Sequence, residues 1–471
     1  MKTRIPMLVA ALAGLALGCF ETPEQLPTVG GRWPAELPDS VVIRDTGVLD
    51  VVSGEIATGR DVLLRDGVIA AIEASGRLTG ALVVDGAGAT LVPGLIDMHG
   101  HVNANSQPTW VQAFPDPDGN LLAYAYAGVT TVFDPADSTP DAFARRERVA
   151  RREQVGPRIF TTGPLLTCTD GHPLAMVQEF APWWLAWYIL DFVATDVPDA
   201  ASAKPIVDRI ADAGADAIKI AMDRIPLDAP RMTTDVAAAV VRAANDRGLR
   251  VVAHIGTTQD AIDAAEAGVS LWVHGVYKEP IPEDEIGRLA GYDIPMVATI
   301  EVFDRYARAL AGPFETIPIE RETVPSEVTD SFYPPPDDFD LHGLTSWLEL
   351  ARQNRAAGVQ IDNIRRLHEA GVTVLAGSDT QSGVFPGAGL HRELAHLVRA
   401  GFTPVEAIRA ATLDPARFLA NGGEPDSGVI AVGKRADLLL VDGDPTRDVA
   451  VLQNLREVFL AGVPIERTPV P

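Results

Sequence analysis

Hydrophobic positions fall into three regimes along the chain. From Val41 to Val84, short apolar runs such as VVIRDTGVLDVV and DVLLRDGVIAAI are separated by Gly and Asp turns, which predicts hairpin-forming strands. The same style returns near the end in DSGVIAVGKRADLLLVDGD and LREVFLAGVPI. The two ends together predict a small β-sandwich made of residues 41–90 and 421–471. Between them, over 91–420, short β-rich runs alternate with longer stretches rich in Ala, Arg and Glu, the pattern of repeated βα units around a parallel sheet. The candidate strands are 91–97, 129–134, 157–162, 216–220, 250–254, 270–274, 295–300 and 373–379. Eight such units predict an α/β fold of the (β/α)8 (TIM) barrel kind rather than an open sheet.

Two connections are long for a single crossover. Residues 164–205 include PWWLAWYIL, and 302–345 are rich in proline; both are expected to form lids or pocket walls. The aromatic cluster Trp183, Trp184, Trp187 and Tyr188 reads as helix packing more readily than as a substrate platform. The Gly86-Ala87-Gly88 turn lacks the remainder of a dinucleotide fingerprint and a following helix.

Composition narrows the partners. With 471 residues, 47% of them hydrophobic, the chain can bury one large core, or one large and one small. The net charge of -25 arises from 64 acidic against 39 basic residues, and no long basic run is present to follow a phosphate backbone. Nucleic acid is therefore not an expected partner, and an acidic surface first of all keeps a protein soluble.

The two cysteines, Cys19 and Cys168, differ in context. Lys2 and Arg4 precede an apolar run from Met7 to Leu17, and Ala16-Leu17-Gly18-Cys19 closes it. That run is too short to span a bilayer as a mature helix, which takes about 20 residues. Residues 1–19 resemble a bacterial lipoprotein signal, with Ala16 in place of the usual Leu; Cys19 would become the lipidated first residue, and a plain secretory signal or a cytosolic N-terminus are the alternatives. Phe20 stands where an inner-membrane retention signal would resemble Asp, so the outer membrane of a bacterial envelope is the expected destination. Residues 20–40, with Pro23, Pro27, Pro34 and Pro38, are expected to be an extended tether. With Cys19 lipidated, Cys168 has no disulfide partner.

The run LVPGLIDMHGHVN holds the most chemistry. Residues two apart on a strand face the same side, so His99 and His101 can aim two imidazoles at one point just past the end of the apolar run 91–97. In a barrel that end is the catalytic face. Lys219 in GADAIKI, His254 in LRVVAHI, His274 in VSLWVHG and Asp379 in GVTVLAGSDT lie at or next to the same end of other strands. Imidazole and carboxylate are good ligands for Zn²⁺ or a similar divalent ion. Four histidines and one aspartate exceed the needs of one tetrahedral site, so two metals fit better than one.

This ordered set resembles the amidohydrolase superfamily. The words GVTTVFD, GADAIKI, AHIG, VHG, AGSDT and GKRADLLLVDGDP resemble its imidazolonepropionase-like and Xaa-Pro dipeptidase-like branch, over about residues 41–466. The resemblance implies a barrel flanked by a β-sandwich, with His99, His101 and Asp379 on one metal and His254 and His274 on the other. It also implies that Lys219 carries a carboxyl group derived from CO₂ and bridges the two ions, since a neutral or cationic amine cannot serve as a bridging anion. Deaminase-like members have a Glu three residues after the His corresponding to His254, and this chain has Thr257 there, which disfavours deamination of a base. Single-metal members, imidazolonepropionase among them, lack the strand Lys, so that activity is not the expected one.

The implied reaction is hydrolysis of an amide-type C–N bond in a small molecule of the dipeptide or N-acyl amino acid class. A metal-bridging hydroxide attacks a polarised carbonyl, and Asp379 passes the proton to the leaving amine. His172 in TCTDGHP is a candidate donor to the oxyanion, and Tyr277 in HGVYKEP a candidate substrate contact. His342, His368, His391 and His396 lie outside the ligand pattern and are expected to be solvated or structural. Hydrolysis of lactones or esters at the same site, a non-catalytic surface lipoprotein and a homo-oligomer all stay open.

Overall fold

Short, mostly buried strands form the middle of the chain, as expected where a parallel sheet is covered on both faces. In the computed structural model, which describes residues 26, 28–111, 113, 115–137, 141–180, 193–308, 312–337 and 342–471, Leu95–Asp97, Val129–Asp134 and Arg158–Thr161 pair in parallel. A second parallel set runs in the order Ala194–Asp196, Leu165–Thr167, Ile218–Ala221, Val251–His254, Leu271–Val273, Met296–Val297 and Val374–Leu375. Asp216 N donates to Thr161 O (2.8 Å), which links the two sets on one side. On the other, Met98 N donates to Ala376 O (3.0 Å), which ties the last strand back to the first.

Alternation along these strands sorts side chains between two cores. Ile96, Met98, Phe133, Val252, Leu271, Val273, Val297 and Leu375 pack with one another. Leu95, Val132, Ile218, Ile220, Val251 and Ala253 instead face the helices in the largest core. The molecule is thus α/β, with helices such as Thr234–Asn245 and Thr258–Ala267 alternating with parallel strands.

Several boundaries differ from the sequence pattern. The run 91–97 is two strands: Ala89–Pro93 joins the sheet of the chain ends, and Leu95–Asp97 opens the parallel set. Gly94 permits the break, because a Cβ there would lie 2.2 Å from Thr130 Oγ1. The run 295–300 contains only Met296–Val297, after which helix Ile300–Arg308 begins. The run 373–379 contains only Val374–Leu375, so Asp379 sits on a loop. Leu165–Thr167 and Ala194–Asp196 are strands within the long connection 164–205.

The two ends of the chain meet in one eight-stranded sheet. Leu438–Asp442 pairs antiparallel with Ala89–Pro93, next to Ser40–Leu49 and its hairpin partner Ile56–Arg65. Both faces are buried: Leu438 and Leu440 enter the sheet's own core with Val41, Ile43 and Phe459, whereas Leu439 and Val441 enter the main one. Residues 30–40 are not a free tether. Gly30–Arg32 pairs with Glu466–Thr468, and Val29 packs with Ile319 and Phe385 because its apolar side chain finds a hydrophobic cleft there. Cys19 and the aromatic cluster at 183–188 lie outside the described residues.

Candidate metal centre

Strand ends place the donors. His254 closes Val251–His254, Lys219 lies within Ile218–Ala221, His274 follows Leu271–Val273, and His99 follows Leu95–Asp97. His99, His101, Lys219, His254, His274 and Asp379 all line one cavity of about 390 Å³ at the carboxyl ends of the strands. The backbone is held in unusual conformations there: His274, Thr299 and Asp379 have φ of 69°, 43° and 56°. Such residues cost on the order of 1–3 kcal/mol each and persist only where the surroundings over-determine them. Asp379 N donates to His99 O (2.6 Å), and Thr299 Oγ1 meets His274 Nδ1 at 2.6 Å.

The donor atoms crowd without saturating one another. His99 Nε2 and His101 Nε2 are 3.2 Å apart, and Asp379 Oδ1 lies 3.4 and 3.0 Å from them. His274 Nδ1 is 3.7 Å from Asp379 Oδ2, and the His254 and His274 ring centroids are 4.1 Å apart. Burial pushes His99 and His274 well below the ordinary imidazole range, and neighbouring positive charges, Lys219 and the other histidines, push the same way. Burial likewise lowers His254, against the opposing pull of Asp223. At His101 burial is outweighed by Asp134 and Asp379, which raise it to about 9. Lys219, 1% exposed, is lowered by burial to about 7.

These residues fit a divalent metal on their own geometry. Buried Asp379 Oδ1 and His99 Nδ1 have no hydrogen-bond partner, and His99, His274 and Asp379 can bring one donor atom each within 4.8 Å of the others. His99, His254 and His274, held below the ordinary imidazole range, favour the neutral form that binds metal, whereas His101 gives up a proton to join them.

His172 borders the same cavity, with its ring 4.8 Å from that of His254 and its Nδ1 without a partner. Burial, then His254, holds it well below the usual range. Tyr277 lies beside that cavity rather than in its lining. Its hydroxyl donates to Asp223 Oδ2 (2.7 Å) and accepts from Trp347 Nε1 (3.1 Å), and it borders a neighbouring cavity instead. Sequence reasoning missed Asp223, Phe303, Tyr306, Trp347 and Gln381. The last four line the metal-ligand cavity, and Tyr306 Oη donates to Gln381 Oε1 (2.6 Å). Phe303 and Tyr306 lie in the long connection 302–345, whose length was a signal; Asp223, Trp347 and Gln381 carried none. Of the other histidines, His391 Nε2 meets Ala127 O (2.8 Å), His396 Nε2 meets Glu301 Oε2 (2.8 Å), and His368 stacks on Phe402.

Comparison with known proteins came to the same region. The model of the family described as amidohydrolase matches residues 90–465. An uncharacterised protein of Mycobacterium tuberculosis is 25% identical over 388 residues, 80% of this chain and 85% of that one. Imidazolonepropionase of Deinococcus deserti is 38% identical over 102 residues, 21% of this chain and 25% of its own. The solved structure of a Xaa-Pro dipeptidase with methionine bound in its active site shares the fold, with a TM-score of 0.70 and 23% identity over 90% of this chain and 99% of that one.

Proposed function

The chain belongs to the amidohydrolase family, and from that premise we propose that it is a metal-dependent hydrolase cleaving an amide-type C–N bond in a dipeptide or N-acyl amino acid. The fold reading that accompanies it is a (β/α)8 barrel flanked by a β-sandwich of both chain ends. The observation behind the proposal is the convergence of His99, His101, Lys219, His254, His274 and Asp379 on one cavity with donor atoms left unsatisfied. His99, His101 and Asp379 would hold one ion, and His254 and His274 a second, Zn²⁺ or a similar divalent metal.

The bound ions would supply Lewis acidity that polarises the scissile carbonyl and makes water a nucleophile at neutral pH. The protein's own groups perform the rest. Lys219, brought to about 7, is in part a free amine at neutral pH; it can add to the carbon of CO₂ and lose a proton, and the resulting carbamate would help hold the ions. Asp379, which lines the cavity, accepts the proton of the attacking water and returns it to the leaving nitrogen. His172 is neutral and can donate from one ring nitrogen to the oxyanion that develops on the carbonyl. Met176, Ile225, Phe303 and Trp347 form an apolar wall that excludes water and receives a side chain of the substrate. At the place where deaminases put a shuttle Glu, Thr257 instead caps helix Thr258–Ala267 in a capping box with Asp260.

Steady-state assays against N-acyl amino acids, dipeptides and lactones test the reading. Turnover of the amides is expected; hydrolysis of lactones alone would replace it. We further propose that Cys19 anchors the chain by a lipid to the bacterial envelope; among the described residues no helix is long and apolar enough to cross a membrane. Wild type should then fractionate with membranes and Cys19→Ser should not, whereas a wild type found wholly in the cytosol would reject the anchor.

A further inference from the structure

Asp223 lies two residues beyond strand Ile218–Ala221, in the loop that follows Lys219, and its carboxylate is 1% exposed. Four groups from three parts of the chain converge on it. Tyr277 Oη donates to Oδ2 (2.7 Å), Lys278 Nζ to Oδ1 (2.5 Å) and Arg224 N to Oδ1 (2.7 Å), while His254 Nε2 lies 3.2 Å from Oδ2. Lys278 Nζ also donates to Arg224 O (2.6 Å), which fixes the loop on which the carboxylate rides. The approach is so close that a Cβ on Gly256 would lie 2.4 Å from Asp223 Oδ1. The glycine of the word AHIG is therefore required by this carboxylate.

An ionised carboxylate only accepts hydrogen bonds, so the imidazole nitrogen against it must be the one that bears hydrogen. We propose that Asp223 is a positioning residue: it holds His254 as the Nε2–H tautomer and so makes Nδ1 the atom that this histidine offers to a metal. At His274 it is Nδ1 that meets an outer partner, Thr299 Oγ1 (2.6 Å), a hydroxyl that can donate or accept. Two adjacent histidines thus turn different nitrogens toward their outer partners, and only the carboxylate dictates a tautomer. An ion pair with Lys278 alone would need neither the contact to His254 nor the bare backbone at Gly256.

The inference rests on the metal reading above, and two measurements separate them. Metal content and Zn²⁺ affinity are compared for wild type, Asp223→Ala and Asp223→Asn, with folding checked by circular dichroism. Long-range ¹H–¹⁵N spectra of histidine-labelled wild type, with and without Zn²⁺, report the His254 tautomer after assignment with His254→Gln. Asp223→Ala should weaken one of two ions by roughly 10- to 100-fold and leave the other in place. Asp223→Asn, whose amide oxygen still accepts from Nε2–H, should recover part of that loss. Wild-type affinity in both variants, or an Nδ1–H tautomer at His254, would overturn the inference. If wild type takes up no metal, the functional reading falls, and the tautomer of the metal-free protein still decides for or against the role of Asp223.

Discussion

Two buried polar clusters lie on neighbouring elements of this molecule and use similar residue types, yet only one is suited to metal. In each, one histidine or more and at least one carboxylate can bring donor atoms within 4.8 Å: His99, His274 and Asp379 in one, Glu301, Asp304 and His396 in the other. The second is already neutralised. Glu301 accepts from Arg305 Nε (2.6 Å) and meets His396 (2.8 Å), Asp304 pairs with Arg308 (2.5 Å) and Arg355 (2.6 Å), and Arg392 pairs with Glu320 (2.5 Å). Arginine stays charged at any working pH, so these carboxylates have permanent counterions. Among the described residues, the first cluster has no arginine beside it: its neighbours are imidazoles and Lys219, brought to about 7 by burial. Permanent arginine counterions, rather than donor types, distinguish the second cluster from the first.

The largest effect should come from the open cluster. Lys219→Ala should lower turnover by several kcal/mol in barrier, on the order of 10³-fold, and reduce metal content, with short carboxylic acids restoring part of the rate. A Lys219→Ala protein with full metal and undiminished turnover would erase the distinction between the clusters.

The closed cluster should answer in stability instead. Glu301→Gln removes the carboxylate shared by buried Arg305 and His396 and should cost about 3–5 kcal/mol by denaturant unfolding, with metal content at the wild-type level. Loss of metal in that variant would show that the two clusters act as one.

Chelation should produce a smaller shift. Metal that binds only the folded state stabilises it by about 2.7 kcal/mol when free metal is 100-fold above Kd. Stripping should therefore lower the Tm of wild type and of Glu301→Gln by similar increments. An increment that vanishes in Glu301→Gln would couple the two regions.

The narrowest effect is confined to acid. Burial raises Glu301, but the hydrogen bond from His396 and the charges of Arg305 and His396 prevail and bring it from 4.5 to about 2. A carboxyl depressed in the folded state contributes stability that is complete above its unfolded pKa and is lost as pH falls through the folded one. Wild type should lose this contribution between about pH 4.5 and 2, and Glu301→Gln should show a flatter acid limb in the same window. Equal slopes would mean that Glu301 is not the ionised partner of the closed cluster.

Much of the open cluster was legible along the chain, because strands fix geometry locally. An apolar run that ends in a histidine or lysine places that side chain at the strand mouth whatever the distant partners are, which is why His99, His101, Lys219, His254 and His274 could be named. Asp379 was legible by its word, AGSDT, although it sits on a loop. The surroundings of Tyr277 were not legible, for the opposite reason: its hydroxyl meets Asp223, 54 residues earlier, and Trp347, 70 residues later. The split at Gly94 was invisible for a similar cause, since Thr130 and Asp437 create it from far along the chain.

The sequence by itself determined which kinds of donor stand at the carboxyl ends of the strands, and that the two ends of the chain carry matching strand patterns, because side-chain periodicity is a local property of the backbone. Only the tertiary structure decided which histidine–carboxylate cluster is closed by arginine, which nitrogen His254 turns toward Asp223, and how far Lys219 falls from its ordinary pKa. Those outcomes depend on desolvation and on partners brought together from distant positions, and neither exists until the chain has folded.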